Sequence, residues 1–118
     1  MKLSNFAKSL RNKGFTIIFK ARHEDCKIDG QFCEDADVQF VKEQLESGND
    51  AAWFCAQVNL EFDGLTSESE YLGCCSYLSY DDFTGMDNHY FDDMLNTCLA
   101  DIQEKAKNII ENFPAIAA

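Results

Sequence analysis

Ala51-Ala-Trp-Phe-Cys-Ala-Gln-Val-Asn-Leu-Glu-Phe62 is the stretch on which the fold turns. Ala52, Phe54, Ala56, Val58, Leu60 and Phe62 give an apolar residue at every second position. Trp53, Cys55, Gln57, Asn59 and Glu61 alternate with them. Successive side chains of extended backbone point to opposite sides, so this period of two predicts a strand with one buried face. Beyond the polar Asp63-Gly64, the segment Glu70–Tyr80 reads as its hairpin partner. Leu72, Cys74 and Leu78 are expected inward there, with Tyr71, Cys75 and Tyr77 outward beside Trp53 and Cys55.

On the N-terminal side, Phe15–His23 also alternates. Phe15, Ile17, Phe19 and Ala21 face one way, and Thr16, Ile18, Lys20 and Arg22 the other. Before it, Ser4 suits the N-cap of a short helix carrying Phe6 and Leu10, with Gly14 just past its end. Residues 24–34 are polar and read as loop. Asp35 or Asp37 can cap a helix of about ten residues carrying Val38, Val41 and Leu45 and closed by Gly48. At the other end, Phe91, Leu95, Cys98, Ile102, Ala106, Ile109 and Phe113 recur at spacings of four and three, one buried stripe of a long helix. Asp87 or Asn88 can start that helix, and Pro114 is expected to stop it. The order α-β-α-β-β-α predicts an α+β fold, a three-stranded antiparallel sheet packed against helices mainly on one face.

A length of 118 residues is one domain, 1–118, large enough for a core without staples. A hydrophobic share of 46% with ten Phe speaks for a folded chain. No window approaches a membrane span, and the start lacks the apolar run of a signal peptide, so a cytoplasmic setting with reduced thiols is expected.

Charge is the strongest functional signal. Between Ile28 and Glu104 lie eighteen Asp and Glu residues and one basic residue, Lys42, within a net charge of −11. Such a chain repels nucleic acid and anionic membrane and attracts basic surfaces. Glu61 and Asp63 sit two apart at a strand end, as do Glu68 and Glu70 across the loop. Asp81, Asp82 and Asp87, with Asp92 and Asp93, follow at the hairpin's exit and the helix entrance. If the hairpin loop and the helix start are neighbours, these carboxylates form one negative field imitating a phosphate backbone. The bland reading is a soluble surface, yet ordinary surfaces intersperse the signs. Added salt is then expected to raise the melting temperature.

Trp53, Tyr71 and Tyr77 form a second candidate, an outward aromatic face for a protein partner or a homodimer mate. Lys20 and Arg22 would neutralise Glu61 if the strands align there. His23, Cys26 and Cys33 with Asp29 offer metal-ligand types without the paired Cys spacing of zinc sites, so no metal or cofactor is expected. The vicinal Cys74 and Cys75 make a poor chelate. No catalytic motif occurs, and a Cys75–His89 pair rests on composition alone, so no catalytic residue is assigned. Direct nucleic-acid binding conflicts with the acidic start of the last helix.

Ala52-Trp-Phe-Cys-Ala-Gln-Val58, then Tyr71-Leu-Gly-Cys-Cys-Ser-Tyr77 and an acidic helix, resembles small uncharacterised acidic proteins encoded by phages and prophages, over about residues 50–100. The resemblance implies a bacterial host cytoplasm and a setting rich in inhibitors of host defence, including anti-CRISPR proteins. It implies no catalytic residues. The basic N-terminal stretch departs from a wholly acidic decoy. The resulting expectation is a non-enzymatic inhibitor whose acids occupy a basic nucleic-acid-binding groove of a host complex. The alternative is a self-associating accessory or assembly protein that uses the aromatic face, with acids for solubility only.

Overall fold

The computed structural model describes residues 1–32 and 34–117, the last five of them by backbone alone. The elements are α1 (Asn5–Asn12), β1 (Thr16–Arg22), α2 (Asp35–Glu46), a single 3-10 turn (Asp50–Ala52), β2 (Phe54–Phe62), β3 (Leu65–Thr66), β4 (Glu70–Cys75), α3 (Tyr80–Thr84) and α4 (Tyr90–Ala117). The fold is α+β, as expected. The sheet is antiparallel, with β2 central, β1 along one side, and β4 followed by the two-residue β3 along the other.

The period of two in β2 does what it predicts. Phe54, Ala56, Val58 and Leu60 are buried, and Phe62 is partly so. Phe15, Ile17 and Phe19 join them from the β1 side, but Ala21, expected on the same face, is exposed, and Ile18, expected outward, is half-buried. Helices α1, α3 and α4 cover this face, around rings of Phe19, Phe54, Tyr77, Tyr80, Phe83 and Phe91. Phe83 is the hub, with ring centroids 5.7 Å from Phe19 and Phe54, 5.1 Å from Tyr77 and 5.6 Å from Phe91. Several of these pairs meet edge-on, the geometry that aromatic quadrupoles favour.

The hairpin departs from its expected register. Ala56 faces Leu72 and Phe54 faces Cys75, so β4 advances three residues while β2 advances two. One extra residue reverses every later side chain. Cys74, at φ 57°, points outward, Cys75 is buried, Tyr77 packs in the core, and Leu78 is exposed. The strand ends at Cys75, five residues short of the expected Tyr80, where a short helix, α3, begins.

The last helix also differs. Phe91, Leu95, Cys98 and Ile102 are buried, but Ile109 is exposed, and the Phe113 side chain lies outside the described residues. Twenty-eight helical residues span about 42 Å, whereas nine strand residues span about 30 Å, so α4 outruns the sheet. It also continues past Pro114 to Ala117. A proline deletes a single i→i−4 bond, and the turn can persist around it at bent or weakened geometry.

Candidate functional site

Topology separates the acids that spacing joins. Helix α4 runs alongside β2 in the same direction. Phe91 meets Phe83, the Cys98 thiol donates to the Val58 carbonyl at 3.5 Å, and Lys105 Nζ donates to the Thr66 carbonyl at 2.6 Å. The β2–β3 turn, with Glu61 and Asp63, therefore lies beside residue 105, while Asp81, Asp82 and Asp87 lie at the other end of the sheet with Asp92. Thirteen helical residues from Asp92 to Lys105 span about 20 Å. That exceeds the screening length of about 8 Å at physiological salt. The hairpin loop and the helix start are not neighbours, so the acids form two groups.

Several are engaged within the protein. Asp81 Oδ1 accepts the Lys2 N–H at 2.9 Å, and Asp87 accepts both the Asn5 N–H at 2.7 Å and its amide Nδ2 at 3.0 Å. Ser4, the expected N-cap, accepts the Ala7 N–H at 3.1 Å and donates its hydroxyl to Asp92 at 2.5 Å. Asp92 is buried, and its other oxygen accepts the Asn88 N–H at 2.8 Å. This carboxylate joins the starts of α1 and α4, where both helix dipoles favour negative charge. The chain passes so close to Gly85 that a Cβ there would lie 2.6 Å from the Asp81 carbonyl and 2.9 Å from Lys2 Cγ. The acids at this end thus moor the N-terminal segment.

At the other end, Asp101 Oδ2 accepts the Glu68 N–H at 2.8 Å and pairs with Lys105 at 3.1 Å, and Glu68 reaches the same ammonium at 3.7 Å. The Glu68 amide first, and then Lys105, hold the Asp101 carboxyl below its ordinary pKa. Glu61 and Asp63 are exposed, and Glu70 is half-buried. Glu61 faces Thr16 and Thr66 across the sheet, whereas Lys20 and Arg22 face Gln57 and Cys55, so the basic strand does not neutralise it. The Arg22 Nε instead donates to the Gln57 side-chain oxygen.

The aromatic face is divided three ways. Trp53 is 9% exposed, packed with Ile28, Phe32, Val41 and Leu45, and its indole N–H donates to the Cys26 carbonyl at 2.9 Å. The cover comes from α2 and the preceding loop, not from α1. Tyr77 sits against Phe54 and Phe83 in the main core, and burial raises its pKa. Tyr71 alone stays open at 62%, near Tyr90 at 53%, where both line a shallow groove beside β4 with Leu72 and Met94. The β4 strand pairs only with β2 among the described residues, so its other edge faces this groove.

An acidic surface that spacing alone does not single out lies on α2 and at its two flanks. Glu34, Asp35, Asp37, Glu43, Glu46 and Asp50 are all exposed or partly so, and Lys42 between them pairs with Asp29 at 2.8 Å. The composition of residues 34–50 carried this signal.

The grouping of His23, Cys26, Cys33 and Asp29 also dissolves. Asp29 pairs with Lys42, His23 lies 3.5 Å from Asp25, and Cys33 is outside the described residues. Cys26 instead meets Glu24 and Cys74, their donor atoms all within 4.8 Å of one another. The Cys74 thiol lies above its usual range, through desolvation first and then through Cys26 and Glu24. Cys75 is a poor nucleophile, since burial pushes its thiol up to about 11 and its sulfur lies 3.3 Å from the Leu72 carbonyl. His89 is occupied locally, its Nδ1 accepting the Tyr90 N–H at 3.0 Å. A cleft of about 270 Å3 lies among Ala21, Arg22, His23, Leu45, Asp50, Trp53, Phe54 and Tyr80, a lining without Ser or Cys.

No helix of the described residues is long and apolar enough to cross a membrane. No family model, curated protein or solved structure matches the chain.

Proposed function

We propose that the chain acts by binding, as a stoichiometric inhibitor of the kind phages and mobile elements direct at host defence complexes, anti-CRISPR proteins among them. In this reading its carboxylates occupy a basic groove that otherwise holds nucleic acid. One observation carries it. Of 21 acids, only Asp25, Asp29, Glu68, Asp101 and Glu111 reach a cationic or histidine side chain among the described residues. A surface built only for solubility mixes its signs. Glu61, Asp63, Glu70 and Asp82 lead the contact, since among the described residues their carboxylates moor no other segment. The exposed acids Asp35, Glu43 and Glu46 on one side of α2 join them, with Asp37 on its other side. Asp81 and Asp87 add charge from their moorings.

The test is capture from a bacterial host lysate at low and high salt, using the wild type and two charge-reversed triples. One is Glu61→Lys, Asp63→Lys and Glu70→Lys; the other is Asp35→Lys, Glu43→Lys and Glu46→Lys. A basic nucleic-acid-binding protein should be retained at low salt, released at high salt and lost with at least one triple. Salt-indifferent capture that survives both triples ends the electrostatic reading.

The free edge of β4 favours a second reading. An unpaired strand edge flanked by Tyr71 and Tyr90 is a template for strand addition, by a partner or a second copy. Such an association persists at high salt, and Tyr71→Glu would abolish it.

A further inference from the structure

Glu24, Cys26 and Cys74 converge although 48 residues separate the two cysteines. Glu24 and Cys26 leave β1 at its end, and the bulge in β4 delivers Cys74. Without the extra residue Cys74 would point into the core; with it, φ 57° turns the thiol outward beside Cys26. Left-handed backbone is costly for a residue other than Gly or Asn and persists only where its surroundings impose it. Gly73 leaves room for the Glu24 carboxylate, which lies 3.4 Å from where a Cβ would stand. Glu24 Oε1 is 3.9 Å from Cys74 Sγ, and Gln31 reaches both sulfurs, its Oε1 3.9 Å from Cys74 and its Nε2 3.2 Å from Cys26.

These separations approach the edges of a tetrahedron around zinc. With metal–sulfur bonds of about 2.3 Å and metal–oxygen bonds of about 2.0 Å, the edges are about 3.8 Å between sulfurs and about 3.5 Å between sulfur and oxygen. The carboxylate and Cys74 need close by only a few tenths of an ångström. No other pair of the three donors is farther apart than 4.8 Å, about 1 Å beyond those edges, a distance that rotation of side chains in the loop after β1 and at the edge of β4 can close.

We propose that Glu24, Cys26 and Cys74 bind a borderline-soft divalent cation of the zinc class. The Gln31 side-chain oxygen or a water completes four ligands. Two thiolates select such a cation over magnesium or calcium, which take all-oxygen sites. On binding, each thiol loses its proton to solvent and forms one metal–sulfur bond, while the carboxylate replaces a water of the ion. The cation ties the loop beneath Trp53 to the edge of β4, two segments otherwise joined there by side chains alone.

The test uses the full chain, reduced and freed of metal by chelation, with Co2+ as a visible stand-in for Zn2+. One equivalent of Co2+ should produce a thiolate-to-metal charge-transfer absorption that one equivalent of Zn2+ abolishes and that Mg2+ and Ca2+ leave unchanged. Each Zn2+ should release about two protons to the buffer. Cys26→Ser and Cys74→Ser should each weaken Zn2+ binding about tenfold or more, Glu24→Gln should weaken it with the fold retained, and Cys55→Ser should leave it intact. Absence of the charge-transfer absorption in the wild type overturns the proposal. So does Zn2+ affinity that survives both serine variants, or that falls equally with Cys55→Ser.

Discussion

The two faces of β2 are sealed by different means. On one, Phe54, Ala56, Val58 and Leu60 lie under three helices and a network of six aromatic rings. On the other, Trp53 receives an apolar cover from α2 and the loop of residues 28–32. Farther along that second face, Gln57 is buried by polar contacts, its amide donating to Ser69 Oγ at 3.2 Å, and Glu61 is open. One strand thus serves a deep core and a shallow one. The deep core fixes the sheet, while the shallow one holds α2, a helix of four acids and one lysine, over a single tryptophan.

The largest effect expected is therefore on the deep side. Phe83→Ala should lower unfolding free energy by about 4 kcal/mol, and Val41→Ala beneath α2 by about 2 kcal/mol. Chemical denaturation reads both, and equal losses would break the contrast. Next comes the mooring of the N-terminal segment. Ser4→Ala should cost about 2 kcal/mol, the upper end for an N-cap, because it leaves buried Asp92 with the Asn88 amide alone. If Asp92→Asn added to Ser4→Ala costs as much as it does alone, the two are not coupled. Smaller still is the response to salt: raising ionic strength should lift the melting temperature by a few degrees, since repulsion among uncompensated acids is screened. A flat response would mean that the acids are too dispersed to repel one another. The smallest effect belongs to Asp101. Its folded pKa is depressed, so its contribution is full above the ordinary carboxylate pKa of about 4 and disappears as pH falls through the lower folded value. Asp101→Asn should therefore melt below the wild type at pH 7 and level with it by about pH 2.

Legibility in the sequence followed the range over which each signal acts. Alternation in β2, the inward positions Phe15, Ile17 and Phe19 in and beside β1, the Ser4 cap and the first four members of the α4 stripe depend on neighbours within one element and could be read there; Ala21 could not, since β1 runs past the cover of the helices at that end. The sides of Cys74, Cys75 and Tyr77 could not, because one inserted residue reverses a period of two, and a bulge at a cysteine in left-handed backbone lacks the glycine that would announce it. The acidic pairs were visible, but whether the hairpin turn and helix start meet depends on the direction of α4 along β2. The cover over Trp53 comes from α2, whose apolar face is narrow, with Val41 alone fully buried. Cys26 and Cys74 meet only through the closure of the sheet, and their spacing resembles no chelating motif.

The overhang of α4 has a practical bearing on any measurement of self-association. The molecule extends 65 × 26 × 21 Å, and its radius of gyration of 17.8 Å exceeds the value of about 13.5 Å for a compact chain of this length. A gel-filtration column sorts by hydrodynamic size, and a rod drags more solvent than a sphere of equal mass. A single 13.4 kDa chain should consequently elute ahead of globular standards of its mass, towards the position of a compact dimer. An early peak whose scattered light returns 13.4 kDa is the expected signature of one elongated copy.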